Sequence, residues 1–550
     1  MKTTKRIVSL LLVLIMALGM FTGCKKEATK SVKGDGKITV GVAQDATIPD
    51  YDTNALSVWL EEQTGLDIEW VYFASSATNY KQQITLMCTG GETLPDVLLG
   101  MSFGHYVVNQ FGEDGYFMDL SELIKTNAPN YNKALDELAK ADKAFITQKS
   151  VNTVDNKSVF ALPSYGIECI DDMQSMMYIN KTWLDAVGMQ APTNITELEA
   201  VCKAFLEKDP NGNGEADEMP MLGQAGTRWY LLNAFCEYQA GTFCVDESGK
   251  VWDPVYTDEF RQGVEYINKM VSKGYVNELG FTLSTAEIKN LISPTDGTAG
   301  RVGIFSGHHE SMTNASTDVL NDYIALGVLA DATGKGGYNI INERHLDLDG
   351  IVTTDCADPE EAMLFLDTFF MDEAVTRQRH GAKDVDWYYE EGKNAYGTDS
   401  YAKCINSQAF FDGSLNCTLG NKLGIMTHWN YLLVAETAET STNNRIVQAS
   451  RLQTEAWDVH ENSGKKQPGI VGDLVYTSKE YDLREAKAGT MNSYLTEQLV
   501  LFMQGEKDPS DDKAWNEFTS TLTSLGRKEL EKVAQDAYTR KLEREAEANK

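Results

Sequence analysis

Between residues 38 and 100 short apolar runs of strand length alternate with stretches of helical patterning, and this limits the chain to folds built on a sheet with crossover connections. Ile38-Thr39-Val40-Gly41-Val42 reads as a buried strand. Asn54 to Gln63 carries apolar residues at helical spacing with Gly65 as its stop, and Asp67 to Phe73 is a second strand. A helix bearing Tyr80, Ile84 and Met87 follows, then a third strand in Pro95-Asp96-Val97-Leu98-Leu99-Gly100. The order implies an α/β lobe, and ligands in such sheets bind outside the carboxyl ends of the strands.

At 550 residues the chain exceeds what one compact core encloses and divides into several domains. Further helices are announced by their caps. Asp358-Pro359-Glu360-Glu361 sets an acceptor at the cap and proline at the first helical position, ahead of Met363, Leu366 and Phe370 on one face. Thr257-Asp258-Glu259 opens another, with Val264, Ile267 and Val271 inward and Gly274 at its stop. Trp515, Phe518, Leu522 and Leu525 form an apolar stripe closed by Gly526, and Leu530, Val533, Ala537 and Tyr538 form the next. Beyond Leu542 the chain is charged and is expected to fray. No internal repeat is evident.

The amino terminus reads as an export signal. Lys2, Lys5 and Arg6 precede an apolar run from Ile7 to Met20, and Phe21-Thr22-Gly23-Cys24 resembles a bacterial lipobox with Phe where Leu is usual. Residues 1–23 are expected to be removed and Cys24 to carry a diacylglycerol, with residues 24–36 as a lipidated tether of about 20 Å by random-coil scaling. The chain is then held at the outer face of the cell membrane. Its formal charge is −32, and loss of the three cations in the signal leaves the mature chain near −35. Nucleic acid and anionic lipid are excluded as partners on that ground. The remaining cysteines show no zinc-ligand spacing and are expected to be mostly free, buried thiols, with Cys236/Cys244 and Cys404/Cys417 the pairs to check.

Asp209-Pro210-Asn211-Gly212-Asn213-Gly214-Glu215 fits the start of an EF-hand-type loop. Alternate side chains at Asp209, Asn211 and Asn213 converge on one hard cation, and Gly214 supplies the turn that brings the Glu215 carbonyl inward. Calcium is the ion such oxygen density favours. Pro220 stands at the twelfth position, where a bidentate Glu is usual. His308-His309-Glu310 lacks the helical spacing of a zinc-protease motif, and Ser306 lacks the first glycine of a nucleophile elbow.

Gly90 to Val97, the loop from Asp209 to Pro220, Thr257 to Tyr275, Asp358 to Phe370, and Phe502-Met503-Gln504-Gly505 through Tyr538-Thr539-Arg540 together resemble family 1 extracellular solute-binding proteins. The likeness is to the large lipoprotein branch that includes alginate-binding and other oligosaccharide-binding proteins of ABC importers. It implies an α/β fold of the two-lobed periplasmic-binding-protein type (type II) with discontinuous lobes and a hinge. The lobes would take residues 37–165 plus 322–377 and residues 166–321 plus 378–550. It also implies that Asp217 and Glu218 complete the calcium loop, that the protein is a monomer working with permease subunits, and that it binds without catalysing.

Sugars present apolar C–H faces edged with hydroxyls, so a carbohydrate cleft needs flat aromatics and polar side chains. Tyr165 and Trp429 are the leading candidates, near where the alginate-binding members place stacking residues, followed by Trp229, Trp387, His308 and Tyr106. Two other readings remain: a binder of a non-sugar solute in the same fold, and a secreted glycoside hydrolase using a carboxylate pair among the 81 acidic residues.

Overall fold

The computed structural model describes residues 34–101, 103–141, 158–163, 176–239, 241–314, 318–340, 348–405, 418–423, 433–435, 437, 444–462, 471 and 474–548. Every element discussed below belongs to one compact unit, Gly36–Lys550. The export signal, Cys24, Tyr165 and Trp429 lie outside the described residues.

In chain order the strands are β1 (Lys37–Ala43), β2 (Asp67–Phe73), β3 (Val97–Leu99), β4 (Leu162–Pro163), β5 (Met177–Asn180), β6 (Met219–Leu222) and β7 (Cys244–Val245). They continue as β8 (Val251–Trp252), β9 (Val276–Asn277), β10 (Val302–Ser306), β11 (Tyr323–Ala325), β12 (Leu348–Val352), β13 (Trp387–Lys393) and β14 (Asp399–Cys404). Two five-stranded sheets result, ordered β2-β1-β3-β12-β4 and β11-β5-β10-β6-β9, with β7/β8 and β13/β14 as separate hairpins.

In the first sheet β1 runs parallel to β2 and β3, while β12 is inserted antiparallel between β3 and β4. A strand from far downstream thus completes the lobe, which makes it discontinuous. The sheet is buried on both faces, as crossover helices require. Val40, Val42, Val97 and Leu99 pack with Leu60 and Leu366 on one side, and Leu98 packs with Tyr80 and Ile84 on the other. Gly41 is dictated by this packing, because a Cβ there would stand 2.7 Å from Leu98 Cδ2 and 2.8 Å from Phe73 Cε2. Asp96 accepts from both the Thr39 backbone N–H (2.8 Å) and its hydroxyl (2.6 Å), pinning β1 to β3.

The second sheet mixes parallel pairs, β10 with β6 and β6 with β9, and antiparallel pairs, β5 with β10 and β11. Tyr323–Ala325 pairs with β5, so β11 forms the edge of this sheet. The core of this lobe draws Phe260, Val264 and Ile267 together with Phe502, Trp515, Phe518 and Leu522 from the carboxyl-terminal helices, so it too is discontinuous.

The caps behave as their chemistry demands. Asn54 accepts from Leu56 N–H and Gly65 closes that helix at φ 74°; Asp358 and Thr257 cap theirs through Glu361 and Phe260 N–H. Met87 and Val271 are half-buried against the cores their helices face, with Cys88 and Met270 fully buried beside them. The last helix does not fray at Leu542. It runs Arg527–Ala548, and Arg544 is buried near its end. Cys88, Cys202, Cys236, Cys244 and Cys356 are buried and free, Cys236 and Cys244 are not bonded to each other, and Cys404 is half-buried, with Cys417 outside the described residues. Burial raises the Cys88 and Cys356 thiols to about 11 and about 12, which keeps them unreactive.

Candidate functional site

The connection leaving the carboxyl end of β3 carries Phe103, Gly104, His105 and Tyr106 into the helix His105–Glu113, and Lys81 stands in the helix Ala77–Gly90 that follows β2. The second lobe faces them with Gln239, Gly241, Phe243 and Tyr476 and with Tyr481, Arg484 and Asn492 from the helix Ser478–Gln504. These groups enclose a cavity of about 440 Å³ between the lobes, within the range of small-molecule sites.

Aromatic faces dominate its mouth. Tyr106 and Tyr481 stack across the gap with centroids 3.8 Å apart and planes 12° from parallel, and the Tyr106 hydroxyl meets the Ser478 hydroxyl at 3.1 Å. The Arg484 guanidinium lies 4.2 Å from the Tyr476 ring centroid. Burial, and then the charge of Glu485, raise the Tyr481 phenol above its usual value, so it stays a neutral donor and acceptor. At the floor, Arg527 is fully buried and held by Asp253 through Nε to Oδ2 at 2.6 Å and a terminal N–H to Oδ1 at 3.1 Å, while its carbon lies 4.4 Å from the Phe243 centroid. Asn492 Oδ1 is buried without a hydrogen-bond partner, an acceptor ready for an incoming hydroxyl. No Asp or Glu is among the described residues that line the cavity.

Of the expected aromatics that are among the described residues, Tyr106 is the one that lines this cavity. Trp229 is half-buried in the helix Ala225–Leu232, just beyond the carboxyl end of β6, and leans on the second-lobe core. His308 follows the carboxyl end of β10 and stacks on His309 at 4.8 Å, while His309 is fully buried and bonded to the Tyr178 hydroxyl at 3.1 Å. Trp387 is a correction. It is wholly buried, with Nε1 donating to the Gly381 carbonyl at 3.0 Å, and has no face to offer a ligand. Lys81, Tyr476, Tyr481, Arg484 and Asn492 were not anticipated. The readable signal was the spacing of Tyr481, Arg484, Ala488 and Asn492, which places an aromatic, a cation and an amide on one helical face.

The loop from Asp209 to Glu218 is folded around its own oxygens. Asp209 Oδ2 accepts from Gly214 N–H at 3.0 Å, Asn211 Oδ1 from Asn213 N–H at 3.0 Å, and Asn213 Oδ1 from Glu215 N–H at 2.7 Å. Asp217 Oδ1 receives the side-chain amides of Asn211 (3.2 Å) and Asn213 (3.0 Å), and Asp217 Oδ2 lies 3.8 Å from Arg301. Gly212 and Gly214 sit at φ 70° and 80°, and Asp209 at 47°, the left-handed turns this winding needs. Among the described residues no three His, Cys, Asp or Glu side chains converge as a finished cage. Glu218 nevertheless fits a cation: Oε1 is buried without a partner, and burial followed by the charges of Asp209 and Asp217 raises its carboxyl.

Two α/β lobes of interrupted chain with an aromatic-lined cleft between them define a solute-binding protein. The chain belongs to the bacterial extracellular solute-binding protein family, whose model matches residues 41–376. It is similar to the fructooligosaccharide ABC transporter substrate-binding protein FusA of Streptococcus pneumoniae, 28% identical over 234 residues, covering 40% of this chain and 41% of that protein. It is also similar to the polygalacturonan/rhamnogalacturonan-binding protein YtcQ of Bacillus subtilis, 25% identical over 337 residues, covering 60% of this chain and 62% of that one. The matched stretches thus span about half the length of these relatives. Among solved structures, a human-milk-oligosaccharide-binding ABC-transporter solute-binding protein of Bifidobacterium longum infantis aligns with TM-score 0.72 at 20% identity over 92% of this chain and 99% of that one. An EF-hand mutant of FusA in complex with fructo-nystose aligns with TM-score 0.67 at 20% identity over 94% and 100%. Among the described residues no helix is long and apolar enough to cross a membrane.

Proposed function

We propose that the protein is a lipid-anchored carrier that holds a carbohydrate, an oligosaccharide, in the cleft between its lobes and passes it unchanged to the permease subunits of an ABC importer. The cleft itself carries this reading: Tyr106 and Tyr481, which cover each other in this structure, would part to receive sugar C–H surfaces between or beside them, Tyr476 adds a third ring, and Lys81, Arg484 and Asn492 supply polar groups for the sugar edges. Closure onto a ligand is favourable because the ligand touches both lobes at once. Both relatives bind saccharides by name, and FusA is named as an ABC transporter substrate-binding protein, which supports the same class of ligand here. Diacylation at Cys24 supplies the two chains that stable anchoring requires, and the carrier acts as a monomer.

A structural calcium in the loop is part of the proposal. Asp209, Asn211, Asn213, Asp217, Glu218 and the Glu215 carbonyl would hold it, with the Asn211 and Asn213 amides turned over so that oxygen faces inward.

Replacement of Tyr481 by Ala tests the cleft directly. A saccharide that raises the melting temperature of the wild type is expected to bind Tyr481→Ala at least about tenfold more weakly, the equivalent of about 1.4 kcal/mol. Equal affinity in a folded variant places the sugar elsewhere.

A further inference from the structure

We infer that Tyr106, Tyr481 and the Ser478 hydroxyl form a latch between the lobes that competes with the saccharide for the cleft, so that Ser478 lowers affinity without touching the sugar. This rests on the saccharide reading above and deepens it with the contact a ligand must first break. Tyr106 stands in the first turn of the helix His105–Glu113, which the connection after β3 leads into, and Ser478 and Tyr481 stand in the first turn of the helix Ser478–Gln504 on the second lobe. One apolar and one polar contact join these two helix starts: the stacked rings, with centroids 3.8 Å apart, and the hydroxyls of Tyr106 and Ser478 at 3.1 Å, from residues 372 positions apart in the chain. Both rings line the cavity, whereas Ser478 is exposed and is not among its described lining residues.

Carbon atoms in contact stand about 3.5–4.0 Å apart, so a sugar ring held between two aromatic faces needs them roughly 7–8 Å from one another. At 3.8 Å the two tyrosines leave no such gap, and each covers the face that the other would offer. The stack and a sandwiched sugar are therefore alternatives. When a protein contact and a ligand exclude each other, the apparent affinity is the intrinsic one multiplied by the fraction of molecules in which that contact is open. The factor belongs to the protein and is the same for every ligand. The helix that Ser478 begins does not need its hydroxyl, because Glu480 already reaches back to the Thr477 N–H at 2.8 Å and holds the first turn. The partner that hydroxyl meets is Tyr106, on the opposite lobe.

The test is Ser478→Ala in the full mature chain, which keeps both rings and removes the polar half of the latch. Short fructo-, galacturono- and manno-oligosaccharides serve as probes, titrated calorimetrically and followed by stopped-flow tyrosine fluorescence. Each probe that binds the wild type should bind Ser478→Ala about three- to fivefold more tightly. The factor should be the same for every probe and should lie in the association rate, with dissociation unchanged. Tyr481→Ala breaks the same contact but also removes a sugar face, so it moves affinity the other way. Fluorotyrosine incorporated at position 106 reads the stack directly: its fluorine resonance should shift in Tyr481→Leu, and shift the same way in Ser478→Ala and on saturation with a bound probe. Unchanged or lowered affinity in a folded Ser478→Ala overturns the inference while leaving the saccharide reading in place, as does a fluorine resonance indifferent to Tyr481→Leu. A gain confined to the dissociation rate, or one that differs between probes, makes Ser478 a ligand contact and overturns the latch as well. Absence of binding by both proteins overturns the saccharide reading and this inference together.

Discussion

At the scale of single residues, Glu218 is the most informative. Its folded carboxyl titrates above the ordinary glutamate value of 4.5, first because it is buried and then because Asp209 and Asp217 stand near. A carboxyl raised in the folded state binds more protons there than when unfolded. Its favourable contribution is therefore complete below the unfolded pKa and lost as pH rises through the folded one. The metal-free protein should accordingly melt lower at neutral pH than at pH about 5 by an increment that Glu218→Gln removes, and calcium should reverse the loss. At a hundredfold excess over Kd, calcium should stabilise the chelator-treated wild type by about 2.7 kcal/mol, and Glu218→Gln by much less. Differential scanning calorimetry reads both effects; no heat of binding and no shift in the wild type removes the cation from the loop. The ligating pattern was legible because Asp209, Asn211 and Asn213 alternate within one short stretch.

At the scale of elements, the helix Ser478–Gln504 carries Tyr481 and Arg484, so its first turn sets one wall of the cleft. That turn is held by Glu480, which receives the Thr477 N–H at 2.8 Å and two contacts from Arg540, at 2.9 Å and 2.5 Å. Burial pushes the Glu480 carboxyl up, but the hydrogen bonds from Arg540 and Thr477 outweigh it and hold the pKa below 4.5. A depressed carboxyl stabilises the fold above its unfolded pKa, and the contribution disappears as pH falls through the lowered folded value. Glu480→Gln should therefore remove part of the acid sensitivity of unfolding below pH about 4.5, and should weaken saccharide binding by loosening the turn under Tyr481. Urea titrations across pH check this; an unchanged acid limb contradicts it. Helices with their caps next to them in the chain, at Asn54, Thr257 and Asp358, were legible. The helix Pro129–Ala141 was not, because its first N–H groups are received by Asp367, at 3.2 Å from Asn130 and 2.8 Å from Tyr131, from another part of the sequence.

At the scale of the whole molecule, the alternation of β1, β2 and β3 with helices announced the first lobe, since parallel strands joined by helices leave a local pattern. The antiparallel insertion of β12 beside β3 left none, because pairing between distant strands is set by the assembled sheet and not by periodicity. The same holds for the cleft. Tyr106 and Tyr481 become neighbours only when the carboxyl-terminal helices fold back onto the second lobe and meet the connection after β3. Native mass spectrometry of the mature chain incubated with a saccharide that stabilises it tests the central claim, that cargo is held between the lobes and not transformed. The account predicts a one-to-one complex at the mass of the intact oligosaccharide. Free protein alone, or complexes and released products shortened by cleavage, contradicts it.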